Sequence, residues 1–201
     1  ASPSSCSPSA RDTSHSTTLA SAGALPLRDY VPAIAGTSVA HYGAACCRGA
    51  ITRAEPDDDI HYSILALRLL EAHGAALTAA DVAREWLSVL PAAQTSTAER
   101  AAYRTLLDAM GDGSPGIPED FDLSRCSDDP YSDWIGAQIR ADVYGWVCPG
   151  RPALAARLAR ADAALSHRGD GVAGAVFVAA LGAAGERVGL LRRDRRGRLR
   201  G

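Results

Sequence analysis

An all-α fold is the expectation from the sequence, on three observations. Forty of the 201 residues are alanine and only 5% are aromatic. Apolar residues recur at three- and four-residue spacing along successive stretches, and no strand-like alternation competes with them. Small side chains let helices pack closely, whereas a β-sandwich core asks for more aromatic and β-branched bulk. A chain of this length can bury a sizeable core without disulfides.

The elements follow in order. Residues 1–24 hold eight serines and almost no large apolar side chain. Such a segment buries too little surface to offset the entropy of ordering, and is expected to be disordered. Prolines at 26 and 32 and glycines at 36, 43 and 49 suggest an irregular stretch over the core, with the ordered body starting near Ile51. After three aspartates, Ile60, Ile64, Leu67 and Leu70 form a helical stripe that Leu65 and Leu69 broaden, and Gly74 stops it. Thr78 with Asp81 resembles a capping box before Val82, Trp86 and Val89; Ser96 with Glu99 repeats that signal before Tyr103, Leu106, Leu107 and Met110. Residues 111–130 read as a loop. Trp134, Ile135, Ile139, Val143 and Trp146 predict a fourth helix, Pro152 opens a fifth, and Val172, Val176 and Ala180 mark a sixth. The three tryptophans fall among aliphatic residues at helical spacing, which points to core packing. The domain reading is a Ser-rich segment 1–24, a helical domain 25–185 and a basic tail 186–201.

No apolar run approaches the length that spans a bilayer, and the first residues lack a signal-peptide pattern. The tail carries seven arginines against Glu186 and Asp194, or +5, which leaves −7 for the rest of a chain with net charge −2. That tail has no interleaved aromatic, so it reads as a solvated, disordered end and no nucleic-acid role is expected. Five cysteines, an odd number without paired C-x-x-C spacing, indicate neither a disulfide framework nor a zinc site, and a reducing cytoplasm is the expected setting.

Asp57, Asp58 and Asp59 stand at the mouth of the strongest helix, where exposed N–H groups and the helix dipole favour negative charge. One acceptor suffices for a cap, and three adjacent carboxylates repel one another unless a hard cation such as Mg²⁺ is shared. Cap and metal site are both open at this point.

The run Asp57-Asp58-Asp59-Ile60-His61-Tyr62-Ser63-Ile64-Leu65 resembles the first metal motif of the ADP-ribosylglycohydrolase family. Residues 94–100 (QTSTAER), 134–142 (WIGAQIRAD) and 166–167 (SH) with 171–180 (GVAGAVFVAA) resemble successive blocks of one branch of it. The resemblance covers roughly residues 27–184 and implies an all-α, compact ADP-ribosylglycohydrolase-like bundle. It also implies Mg²⁺-dependent hydrolysis that removes ADP-ribose from a modified substrate, classically on arginine. Asp58 and Asp59 would be metal ligands; Asp57 stands where the family usually has a threonine, as Ile60 does at the end of the motif. By the same resemblance Gly136, Gln138, Arg140 and His167 would meet the substrate, with ADP-ribose or an ADP-ribosylated protein as partner. On residues alone, Arg140 reads more readily as a surface ion-pair partner and His167 as a helix-end residue. His61, without a second nitrogen or sulfur ligand at usable spacing, is left out of the metal shell.

The family's opening segment and its closing Asp-x-Asp-Thr motif are not found, so the second ligand set is missing and the expectation is an incomplete domain. Two readings follow: a hydrolase, inactive in this form by itself, or a non-catalytic ADP-ribose-binding or scaffold remnant.

Overall fold

The computed structural model describes residues 17–34, 47–52, 58–111 and 116–198. The chain divides into two units, Ala1–Glu55 and Pro56–Gly201. In the first, residues 17–21 make a helical turn inside the stretch that composition predicts disordered, and Gly23 follows in the left-handed region. The rest of its described residues are irregular, with Arg48 N–H donating to the Val31 carbonyl at 2.9 Å. Residues 1–16 lie outside the described residues.

The second unit is built of α1 (Asp58–His73), α2 (Ala79–Val89), α3 (Thr97–Met110), the short α4 (Asp142–Trp146), α5 (Pro152–Ala163) and α6 (Gly169–Arg198), with 3-10 turns between them. Among the described residues there is no strand, and no helix is long and apolar enough to cross a membrane. The fold is all-α, as composition and periodicity predict.

The capping box at α2 is complete: Thr78 accepts from the Asp81 N–H and Asp81 accepts from that of Thr78. The matching signal at α3 is not a box. Ser96 makes no side-chain cap bond, and Glu99 turns inward because a buried cation claims it. Gly111 ends α3 at φ 61°, a conformation glycine adopts without a Cβ penalty.

The predicted stripe on α1 is rotated. Tyr62, Leu65, Ala66 and Leu69 form the buried side, while Ile60, Ile64 and Leu67 are exposed, Ile64 at 53%. A helix apolar on two sides carries no internal signal for which side is covered. The fourth predicted helix breaks into a 3-10 segment, Ile135–Arg140, and α4. Its tryptophans are exposed, so of the three only Trp86 belongs to the core, where it is fully buried. The sixth helix runs on to Arg198 through the stretch expected to be disordered. Arginine is a good helix former, and nothing between Ala184 and Arg198 is a proline.

Close approach through small residues holds the second unit together. A Cβ on Gly145 would come within 2.8 Å of the Ala179 carbonyl, so α4 crosses α6 nearly backbone to backbone. The same helix packs along α5 and the 3-10 segment, and the Gly150 N–H donates to the Ala183 carbonyl at 2.8 Å.

Candidate functional site

The expected site residues fall into two groups. The first lies at the surface, at the mouth of α1. Asp58 and Asp59 occupy its first turn, Asp58 half-buried and Asp59 exposed. Asp57 lies outside the described residues. Asp59 lines an open groove of about 640 Å³ with Ser63, Gln138 and Asp142. The groove's apolar wall comes from Ile60, Ile64 and Leu67 of α1, Ile135 and Ile139 of the 3-10 segment, and Trp146 of α4. The exposed stripe on α1 is thus one side of this groove.

The second group surrounds a buried ion cluster. Arg140 is 1% exposed. Its Nε donates to Asp162 Oδ1 at 2.7 Å, its Nη1 to Glu99 Oε1 at 2.8 Å and its Nη2 to Ser166 Oγ at 2.7 Å. Tyr144 O–H donates to the other Asp162 oxygen at 2.7 Å. The guanidinium carbon stands 5.4 Å from the Tyr62 ring centroid and 5.2 Å from that of Trp86, cation–π distances. Burial opposes the charge on Arg140, but Asp162 and Glu99 outweigh it and hold its pKa above the ordinary value. Burial pushes Glu99 up against the pull of Arg140. Two carboxylates share the one guanidinium, so Glu99 keeps part of its desolvation cost.

His167 sits beside the cluster, 2% exposed, with Nδ1 2.8 Å from Ser166 Oγ. Arginine only donates, so Ser166 accepts from Arg140. The other ring nitrogen, Nε2, faces Glu99. That nitrogen lies 3.9 Å from Glu99 Oε1, beyond hydrogen-bond length. Burial first and the Arg140 charge second push its pKa down to about 3, which keeps the ring neutral.

Gly136 and Gln138 are fixed by contact. A Cβ on Gly136 would meet Glu99 Oε1 at 2.5 Å, and one on Gly174 of α6 would collide with the Gln138 amide. The structure thus brings Asp59 and Gln138 together at the groove, and gathers Gly136, Arg140 and His167 around Glu99. Arg140 and His167 reach no groove surface.

Glu99 and Asp162 are the residues that sequence reasoning missed as part of this assembly. Glu99 was absorbed by the apparent capping box. Asp162 stands on the buried face of α5 with Leu158, Ala159 and Ala163, and a carboxylate on an apolar face was the available signal for a buried cation.

Residues 11–195 match the model of the ADP-ribosylglycohydrolase family. The chain belongs to that family, which sets its fold class and its ADP-ribosylglycohydrolase-like character. Neither the curated proteins nor the solved structures offer a match.

Mg²⁺ takes oxygen ligands, keeps several of its waters and is commonly held by one or two carboxylates together with substrate phosphates. The first turn of α1 offers two such carboxylates. Among the described residues no three His, Cys, Asp or Glu side chains gather where they could hold a metal ion.

Proposed function

We propose that this protein is a Mg²⁺-dependent hydrolase that releases ADP-ribose from a modified substrate, working at the mouth of α1. The observation that carries the reading is the meeting of Asp59 and Gln138, from separate family-like blocks, in one groove. Asp58 and Asp59 hold the cation, with Asp57 next to them in sequence. Bound there, the cation supplies positive charge against the ribose hydroxyls and the diphosphate.

The chain's own groups do the rest. The Gln138 amide donates to and accepts from sugar or phosphate oxygens, since both its ends are polar. Asp142 faces the same groove as Asp59 and, with Asp59 given to the cation, is the carboxylate left there to move a proton. Trp146 and Ile135 offer an apolar wall to the purine and exclude water from that side. An ADP-ribosylated protein is the expected substrate class, arginine-linked in the first instance, and the odd cysteine count favours a cytoplasmic setting.

The test is ADP-ribose release from ADP-ribosyl-arginine with and without Mg²⁺. Turnover lost with the cation or in Asp58→Asn supports the reading, and a native chain that neither releases nor binds ADP-ribose contradicts it. Binding without release assigns the protein to the alternative, a non-catalytic ADP-ribose module.

A further inference from the structure

The 3-10 segment Ile135–Arg140 is six residues long, more than such a helix usually sustains, because its hydrogen-bond geometry is poorer than that of an α-helix. Residues three apart eclipse one another in it, and the exposures follow that period. Ala137 and Arg140 are buried, each 1% exposed. Ile135 and Gln138, with Ile139 beside them, line the groove, Ile135 being 68% exposed. The register of the segment therefore decides whether Gln138 or its neighbours face Asp59.

What fixes that register is at its inner end. Arg140 binds Glu99 on α3, Asp162 on α5 and Ser166 on the turn before α6, and lies over rings from α1 and α2. Glu99 in turn lies against Gly136, with no room for a Cβ between them. Both ends of the short segment are thus clamped by one ion cluster, and Gln138 sits between them against Gly174.

The geometry points to Arg140 as a positioning residue: its buried fork, with Glu99, holds Ile135–Arg140 in the register that presents Gln138 to the groove beside Asp59. Its part in ligand binding rests on the function proposed above, but the clamp itself does not. A lysine keeps the charge and loses the planar fork that serves three partners at once. Arg140→Lys is the direct variant, and Glu99→Gln is a milder one that keeps the shape of the carboxyl group.

The experiment is hydrogen exchange read by mass spectrometry on the native chain and both variants, with ADP-ribose titrated into each in the presence of Mg²⁺. The clamp predicts that amides of residues 135–140 exchange at least about tenfold faster in Glu99→Gln, while α5 and the first turns of α6 keep their protection. Unchanged exchange at 135–140 in Glu99→Gln, or a loss spread evenly over the domain in both variants, overturns it. In the titration, Glu99→Gln and Gln138→Ala should each weaken ADP-ribose binding, and the double variant no more than the stronger single one, because both act through the same side chain. Additive losses overturn the positioning role. If the native chain binds no ADP-ribose, the proposed function fails while the exchange result still decides the clamp.

Discussion

Arg140 illustrates how one side chain can be read at its surface value and belong to the interior. Its pairing with two carboxylates is a structural commitment: removing one partner of a buried ion pair leaves the other charge uncompensated, at a typical cost of about 3–5 kcal/mol. Arg140→Ala, which leaves both Glu99 and Asp162 without their cation, is therefore expected to lose about that much stability in urea denaturation, whereas a surface ion pair such as Arg168–Asp128, 2.9 Å apart with both partners exposed, should contribute less than about 1 kcal/mol. A change at Gly136 acts on the same cluster from the other side. Gly136→Ala places a methyl group against Glu99 and should cost about 1–3 kcal/mol by overpacking.

The neighbouring imidazole has a pH signature. His167 resists protonation in the fold down to about pH 3, whereas an unfolded histidine takes its proton near 6.5. The unfolded state binds more protons in that interval, so stability falls as the pH drops from about 6.5 towards 3. Denaturation midpoints followed across this range should decline in the native chain and decline less steeply in His167→Gln. Equal slopes would contradict a buried neutral ring. Neither feature was legible beforehand, because the partner carboxylates lie 41 and 22 residues from Arg140 and periodicity reads only neighbours within a turn or two.

Among the elements, the two cap signals look alike in sequence and differ in the fold. Thr78-x-x-Asp81 forms both reciprocal bonds, while Ser96-x-x-Glu99 forms none through the serine. Thr78→Ala should cost about 1 kcal/mol, and Ser96→Ala should stay within about 0.5 kcal/mol. A denaturation series on the two variants checks the contrast; equal losses would contradict it. Helix existence was legible wherever a cap or a breaker bounded the pattern, as at Thr78, Gly74 and Pro152. Which side of α1 is covered was not, since Ile60, Ile64 and Leu67 are as apolar as Leu65 and Leu69. The fourth helix failed for a related reason. Ile135, Ile139 and Val143 satisfy an α-helical period, but the pull of Arg140 towards three partners and the contact of Gly136 with Glu99 tighten the segment to three residues per turn.

At the scale of the whole molecule, small residues explain why a chain with few aromatics builds an α-helical core: alanine faces and glycine crossings such as Gly145 on α6 stand where larger side chains would otherwise fill space. The composition made that architecture readable, and the order of family-like blocks made the family readable. The site was readable only in part. Asp59 and Gln138 come together at the groove, while Arg140 and His167 belong to the support beneath it.

We propose that the α1 mouth and its groove take ADP-ribose with Mg²⁺. Calorimetric titration of the chain with ADP-ribose, with and without Mg²⁺ and beside Asp58→Asn, tests it most directly. Saturable binding that weakens at least about tenfold when Mg²⁺ is withheld or Asp58 is changed is the expected result. Binding unaffected by either change, or no binding by the native chain, would contradict it.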